Sequence, residues 1–158
     1  MSVTKKFHVS MAEDVLKLVE ERGKARSTVI TRDLERLYTL YRRALRHVDL
    51  SVDEACLIVD ALNSTLMTAD TAHLLWASVL DAIEHENLAE KWNVVGSALI
   101  EKLRSLNEIQ SMAVIDAAER FWNNPKYRDQ DMGIGVAECF GHTVKEVYHY
   151  KEKSKEDE

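Results

Sequence analysis

Few side chains in this 158-residue chain stand at spacings that support metal or covalent chemistry. Cys139-x-x-His142, with Cys56 or His149 as further donors, has ligand-type spacing. A structural zinc site needs four identifiable ligands in paired motifs, so no metal is expected. His85 lies between Glu84 and Glu86 and could serve as a poised base, but two adjacent acids near a helix end fit a solvated surface better. Trp76, Trp92 and Trp122, with Phe121, form a candidate ligand pocket, set against the commoner use of aromatic rings in core or partner packing. Asn63-Ser64-Thr65 matches a glycosylation sequon that carries no weight without a secretory signal. No nucleophile motif, phosphate-binding glycine loop or Cys-x-x-Cys pair occurs, so the chain is not read as an enzyme and no cofactor is expected. Cys56 and Cys139 read as buried thiols acting as small hydrophobes.

What remains is the chemistry of polyanion recognition, and it is concentrated at one end. Residues 1–48 carry eleven Lys and Arg against six Asp and Glu, a net +5, while residues 49–158 carry ten against twenty-one, a net −11. The overall charge of −6 therefore hides a basic segment. Phosphate contacts supply most non-specific affinity for nucleic acid, so the segregation matters more than the total. Within the basic segment, Lys6-Phe7-His8-Val9-Ser10-Met11 alternates as a short strand. A lone strand leaves unpaired backbone groups, and pairing with a second copy would satisfy them in a two-stranded antiparallel ribbon. Lys6, His8 and Ser10 would then face outward on a ribbon of a width that fits the DNA major groove.

Two helices must hold that ribbon. The first is read from about Ala12 to Arg22, with Val15, Leu16, Leu18 and Val19 apolar and Glu13, Asp14, Lys17, Glu20 and Glu21 on the other side. Gly23 is the expected C-cap and Ser27 the expected N-cap of the second helix. A helix start concentrates free N–H groups and positive dipole, which makes an anion site with Lys24 and Arg26 alongside.

From Lys5 to Leu45 this arrangement resembles the ribbon-helix-helix DNA-binding proteins of the Arc and MetJ repressor type. The resemblance rests on the strand, the apolar set of helix one, the turn Gly23-Lys24-Ala25-Arg26-Ser27, and Val29, Ile30, Leu34 and Leu37 of helix two. It implies that Lys6, His8 and Ser10 read base edges and that Ser27 with the Thr28 amide clamps a phosphate, in a homodimer.

The remainder reads as helices. Hydrophobic residues make up 46% with one proline and five glycines, which suits a mainly α-helical globular protein. Ser51-x-x-Glu54 is a capping box for a helix ending near Asn63-Ser64. A second helix is expected from Thr68 or Asp70 through Ile83, a third from Val94 to Leu103, and a fourth opened by a Ser105-x-x-Glu108 box and broken at Asn123-Asn124-Pro125. Gly133, Gly135 and Gly141 suit either a short, closely packed helix or an irregular segment, and Thr143 to Tyr150 fits neither period strictly. The sequence thus divides into a ribbon-helix-helix module at 1–48, an acidic helical domain at 49–150 for oligomerisation or effector binding, and a charged tail at 151–158. No apolar run approaches a membrane span and no signal-peptide core follows Met1, so a cytoplasmic location is expected. The resulting expectation is a transcriptional regulator that binds double-stranded DNA as a dimer or tetramer. The competing reading is a helical adaptor, of a mobile-element, antitoxin or DNA-processing system, that uses the ribbon only to dimerise.

Overall fold

The computed structural model describes residues 11–142 apart from Lys24, Ser64 and Leu66. The expected strand, except Met11, therefore lies outside the described residues, as do 143–150 and the charged tail. The described chain is mainly helical: α1 (Glu13–Glu20), α2 (Arg26–Leu45), α3 (Val52–Ala61), α4 (Leu75–Glu86), α5 (Leu88–Lys91), α6 (Gly96–Arg104), α7 (Glu108–Asn123), α8 (Pro125–Arg128) and α9 (Met132–Phe140). A 3-10 segment, Ala69–Leu74, leads into α4. The helices fall into two compact units, residues 1–39 and 40–158, and the division lies within α2.

In the first unit, α1 carries Glu13 and Asp14 in its opening turn, where the helix dipole favours negative charge. It ends at Glu20, short of the expected Arg22, because the Arg22 and Gly23 amides donate to the Val19 and Glu20 carbonyls in a tightened turn. Gly23 then takes a φ of +67°, a left-handed conformation that glycine adopts at little cost. Helix α2 opens with Arg26, one residue before the expected start, and the Val29 amide donates to the Ala25 carbonyl at 3.1 Å. Ser27 is accordingly inside the first turn and not its cap.

The second unit is built around α3. Its central residues Ala55, Cys56, Leu57, Ile58 and Val59 are all fully buried, so this helix is apolar all round and must be enclosed. Helices α4, α5, α7 and α9 pack on it. The start of α3 is the expected capping box: the Glu54 amide donates to Ser51 Oγ at 3.1 Å and the Ser51 amide to Glu54 Oε1 at 3.0 Å. Glu54 is buried and also accepts from Lys102 Nζ of α6 at 2.8 Å, which gives its second carboxylate role a partner on a neighbouring helix.

Helix α6 buries Leu99, Ile100 and Leu103, the side expected from spacing. The box that opens α7 differs from the expectation. Asn107 is the N-cap, its side chain accepting from the Gln110 amide at 2.8 Å while Gln110 Oε1 accepts from the Asn107 amide at 3.0 Å. Ser105 belongs to the end of α6, where its hydroxyl donates to the Lys102 carbonyl. Asn124 caps α8 with Pro125 in the first helical position, as a residue lacking an N–H should be. The glycine-rich stretch is helical: α9 lies so close to α8 that a Cβ on Gly135 would collide with the Tyr127 carbonyl and touch the Phe121 ring.

Candidate nucleic-acid interface

Of the residues expected to meet DNA, Lys6, His8, Ser10 and Lys24 lie outside the described residues. Arg26, Ser27 and Thr28 are described, and all three are exposed in the first turn of α2. The first amides of a helix have no intrahelical acceptor, so the Ser27 and Thr28 N–H groups point out of the helix start with the positive end of its dipole. No acidic residue occupies that turn. The adjoining guanidinium groups are engaged within the unit: Arg26 Nη2 donates to Glu20 Oε1, and Arg22 Nη1 donates to Asp33 Oδ1 at 2.8 Å, which also lies 3.9 Å from Arg36. These pairs are exposed, hence weak, and a phosphate could take over either arginine at modest cost.

The apolar residues of the same unit are only half accounted for. Val19 and Val29 are buried, whereas Val15, Leu18, Leu34, Leu37 and Tyr38 remain 44%, 61%, 60%, 42% and 48% exposed. They recur at three- and four-residue spacing on α1 and α2, so each helix keeps an open apolar stripe.

The three tryptophans of the candidate ligand pocket occupy separate places. Trp76 is half-buried under the Arg104 guanidinium, 4.7 Å from the ring centre. Trp92 donates through Nε1 to Asp60 Oδ2 at 3.0 Å, beside the Lys91 ammonium on the same oxygen at 2.7 Å. Trp122 donates through Nε1 to the Val59 carbonyl at 2.8 Å and meets Phe121 edge to face. Each indole is thus spent on holding a helix against its neighbour. Trp122 alone of the three lines a described cavity, a cleft of about 110 Å³ with Leu62, Thr65, Ile115, Ala118, Glu119 and Asn123. That volume is well below the roughly 300 Å³ of a small-molecule site. A second cavity of about 200 Å³, lined by His47, Asp49, Lys102, Ser105 and Gln110 among others, was not signalled by any motif.

Other candidate groups stand apart from one another. Cys56 and Cys139 are buried, and burial pushes their thiols up to about 12 and about 11, so neither is a nucleophile at neutral pH. His85 is exposed, with Nδ1 2.9 Å from the Asp81 carbonyl, and that bond together with the Asp81 carboxylate raises its pKa. Among the described residues no three His, Cys, Asp or Glu side chains are grouped to hold a metal. No described helix is long and apolar enough to cross a membrane. No protein family, curated protein or solved structure matches the chain.

Proposed function

We propose that this protein is a DNA-binding transcriptional regulator that acts as a dimer or higher oligomer through its N-terminal unit. The observation that carries the reading is the open apolar stripe of α1 and α2. A unit of 39 residues is at the size where a chain cannot bury enough surface alone, and five large apolar side chains in it face outward. A second copy supplies both the missing cover for Val15, Leu18, Leu34 and Leu37 and the missing mate for a strand at Lys6 to Met11. In that dimer the paired strands lie in a major groove with Lys6, His8 and Ser10 toward the bases. Lys24, Arg26 and the Ser27 and Thr28 amides grip the flanking phosphates and set the register. The acidic helical unit keeps clear of the duplex and assembles dimers or takes an effector.

Selection of bound fragments from genomic DNA, followed by fluorescence anisotropy, tests this. Lys6→Ala is expected to lose sequence discrimination of about 1–3 kcal/mol. Arg26→Ala is expected to weaken all sequences alike and flatten the salt dependence. Absence of binding at low salt rejects the reading. The pairing of Arg26 with Glu20 and of Arg22 with Asp33 favours a second reading, in which the unit only dimerises and the chain is a helical adaptor. A stable dimer with no affinity for any duplex is its signature.

A further inference from the structure

Within the larger unit, the 200 Å³ cleft brings charges of both signs to one apolar floor. Asp49 lines it from the segment after α2, and Lys102, Ser105 and Gln110 line it from the end of α6 and the start of α7. The floor is Val48, Leu50, Leu103 and Leu106, of which Leu50 and Leu103 are buried in the core. The polar groups on the α6–α7 side are held from behind. Lys102 Nζ donates to the buried Glu54 at 2.8 Å, which leaves two of the three donors of an ammonium. Gln110 spends its Oε1 on the Asn107 amide and keeps its Nε2. Ser105 donates its hydroxyl to the Lys102 carbonyl and keeps its acceptor lone pairs. The Glu54 hydrogen bond, and then the Glu54 and Asp49 charges, raise the Lys102 pKa, so this ammonium is charged at neutral pH. Asp49 thus acts on Lys102 through space, and among the described residues no hydrogen bond or ion pair engages the Asp49 carboxylate.

We propose that this cleft binds a small aliphatic zwitterion, a free α-amino acid with a short side chain. Its volume equals that of about six or seven liquid waters, which admits a ligand of fewer than about ten heavy atoms and excludes a nucleotide. A lone carboxylate would gain little, because Glu54 already offsets the Lys102 charge and Asp49 repels a second anion. A lone ammonium would meet Asp49 but also Lys102. A molecule with both groups on neighbouring atoms fits the gap between them: its carboxylate takes the remaining Lys102 donors and Gln110 Nε2, and its ammonium takes Asp49. The apolar floor then covers the side chain, and the anchored Lys102 and Gln110 lose little freedom on binding. This deepens the regulator reading, on which it rests for the consequence of binding, by naming the class of effector.

The test is isothermal titration calorimetry on the full chain without DNA, using L-valine, isovalerate and isobutylamine. Valine is expected to bind at one site per chain with an affinity on the order of millimolar, as suits so few atoms. Each single-charge analogue is expected to bind about tenfold more weakly or worse. Asp49→Asn, at an exposed position outside every described helix, is expected to weaken valine about tenfold and to leave isovalerate no weaker. Lys102→Gln is expected to weaken both, with far-UV circular dichroism confirming the fold, since this change leaves the buried Glu54 without its cation. No heat from valine, equal binding of all three probes, or valine affinity unchanged in Asp49→Asn overturns the proposal. Fragment selection on the same protein separates the two readings. DNA binding by a chain that ignores valine overturns the effector site alone, and valine binding by a chain without DNA affinity keeps the site and overturns the regulator.

Discussion

At Glu119 the burial of a single carboxyl sets a pH dependence. Partial burial, and then the nearby Asp116 carboxylate, raise its pKa above the usual glutamate range. The folded chain therefore holds that proton more tightly than the unfolded chain does. Its contribution to stability is complete below the unfolded value and is lost as pH rises through the folded one. Glu119→Gln, which cannot ionise, is expected to match the parent near pH 4 and to exceed it at pH 7 by under about 1 kcal/mol, measured by urea unfolding at the two pH values. The thiols give a second outcome at this scale. Cys56 and Cys139 should resist an aromatic disulfide reagent at pH 8 in the native protein and both react once it is unfolded in guanidinium; fast native labelling would contradict their burial. Residue type alone signalled buried thiols and large apolar rings. It did not signal that the Trp92 and Trp122 indole N–H groups serve different partners, because Asp60 and the Val59 carbonyl lie about thirty and sixty positions away in sequence from the rings they meet.

Helix boundaries show where local chemistry suffices and where it is ambiguous. The α3 start was legible because Ser51 and Glu54 satisfy each other's backbone, a signal contained in four residues. Around α7 two boxes overlap, Ser105-x-x-Glu108 and Asn107-x-x-Gln110, and the second is formed because Ser105 closes α6 instead. Helix α5, only Leu88–Lys91, is too short to show a period and was not legible at all. Glu54→Ala should cost about 1–3 kcal/mol in urea unfolding, since it removes the return bond to Ser51 and leaves the Lys102 ammonium without its acceptor. Gly135→Ala should cost at least about 1–3 kcal/mol, because the colliding atom is the Tyr127 backbone carbonyl, which cannot move without disturbing α8. The glycine stretch looked equivocal in sequence for the same reason: its helical purpose depends on α8 being close.

At the scale of the whole molecule, stoichiometry is the quantity on which the proposed function turns. Replacing Leu37 by Lys on the open stripe is expected to reduce the particle mass seen by light scattering to the 18.1 kDa of one chain, while far-UV helicity of the acidic unit persists. An unchanged mass would mean that the stripe is not where copies meet. The mainly helical class, and the charge division between the two ends, could be read from sequence because periodicity and charge are local counts. No glycine, proline or serine run marks the place within α2 where the compact units divide. That absence has a practical consequence. Because α2 passes from one unit into the other without a break, a nuclease-style dissection of the gene into separately expressed halves has no neutral cut point. A truncation at residue 39 would expose a raw helix start at Leu40, and one at residue 48 would take Leu45 and Val48 away from the core they pad. Library screens for expressible fragments should accordingly recover the chain whole, or with α2 duplicated in both pieces.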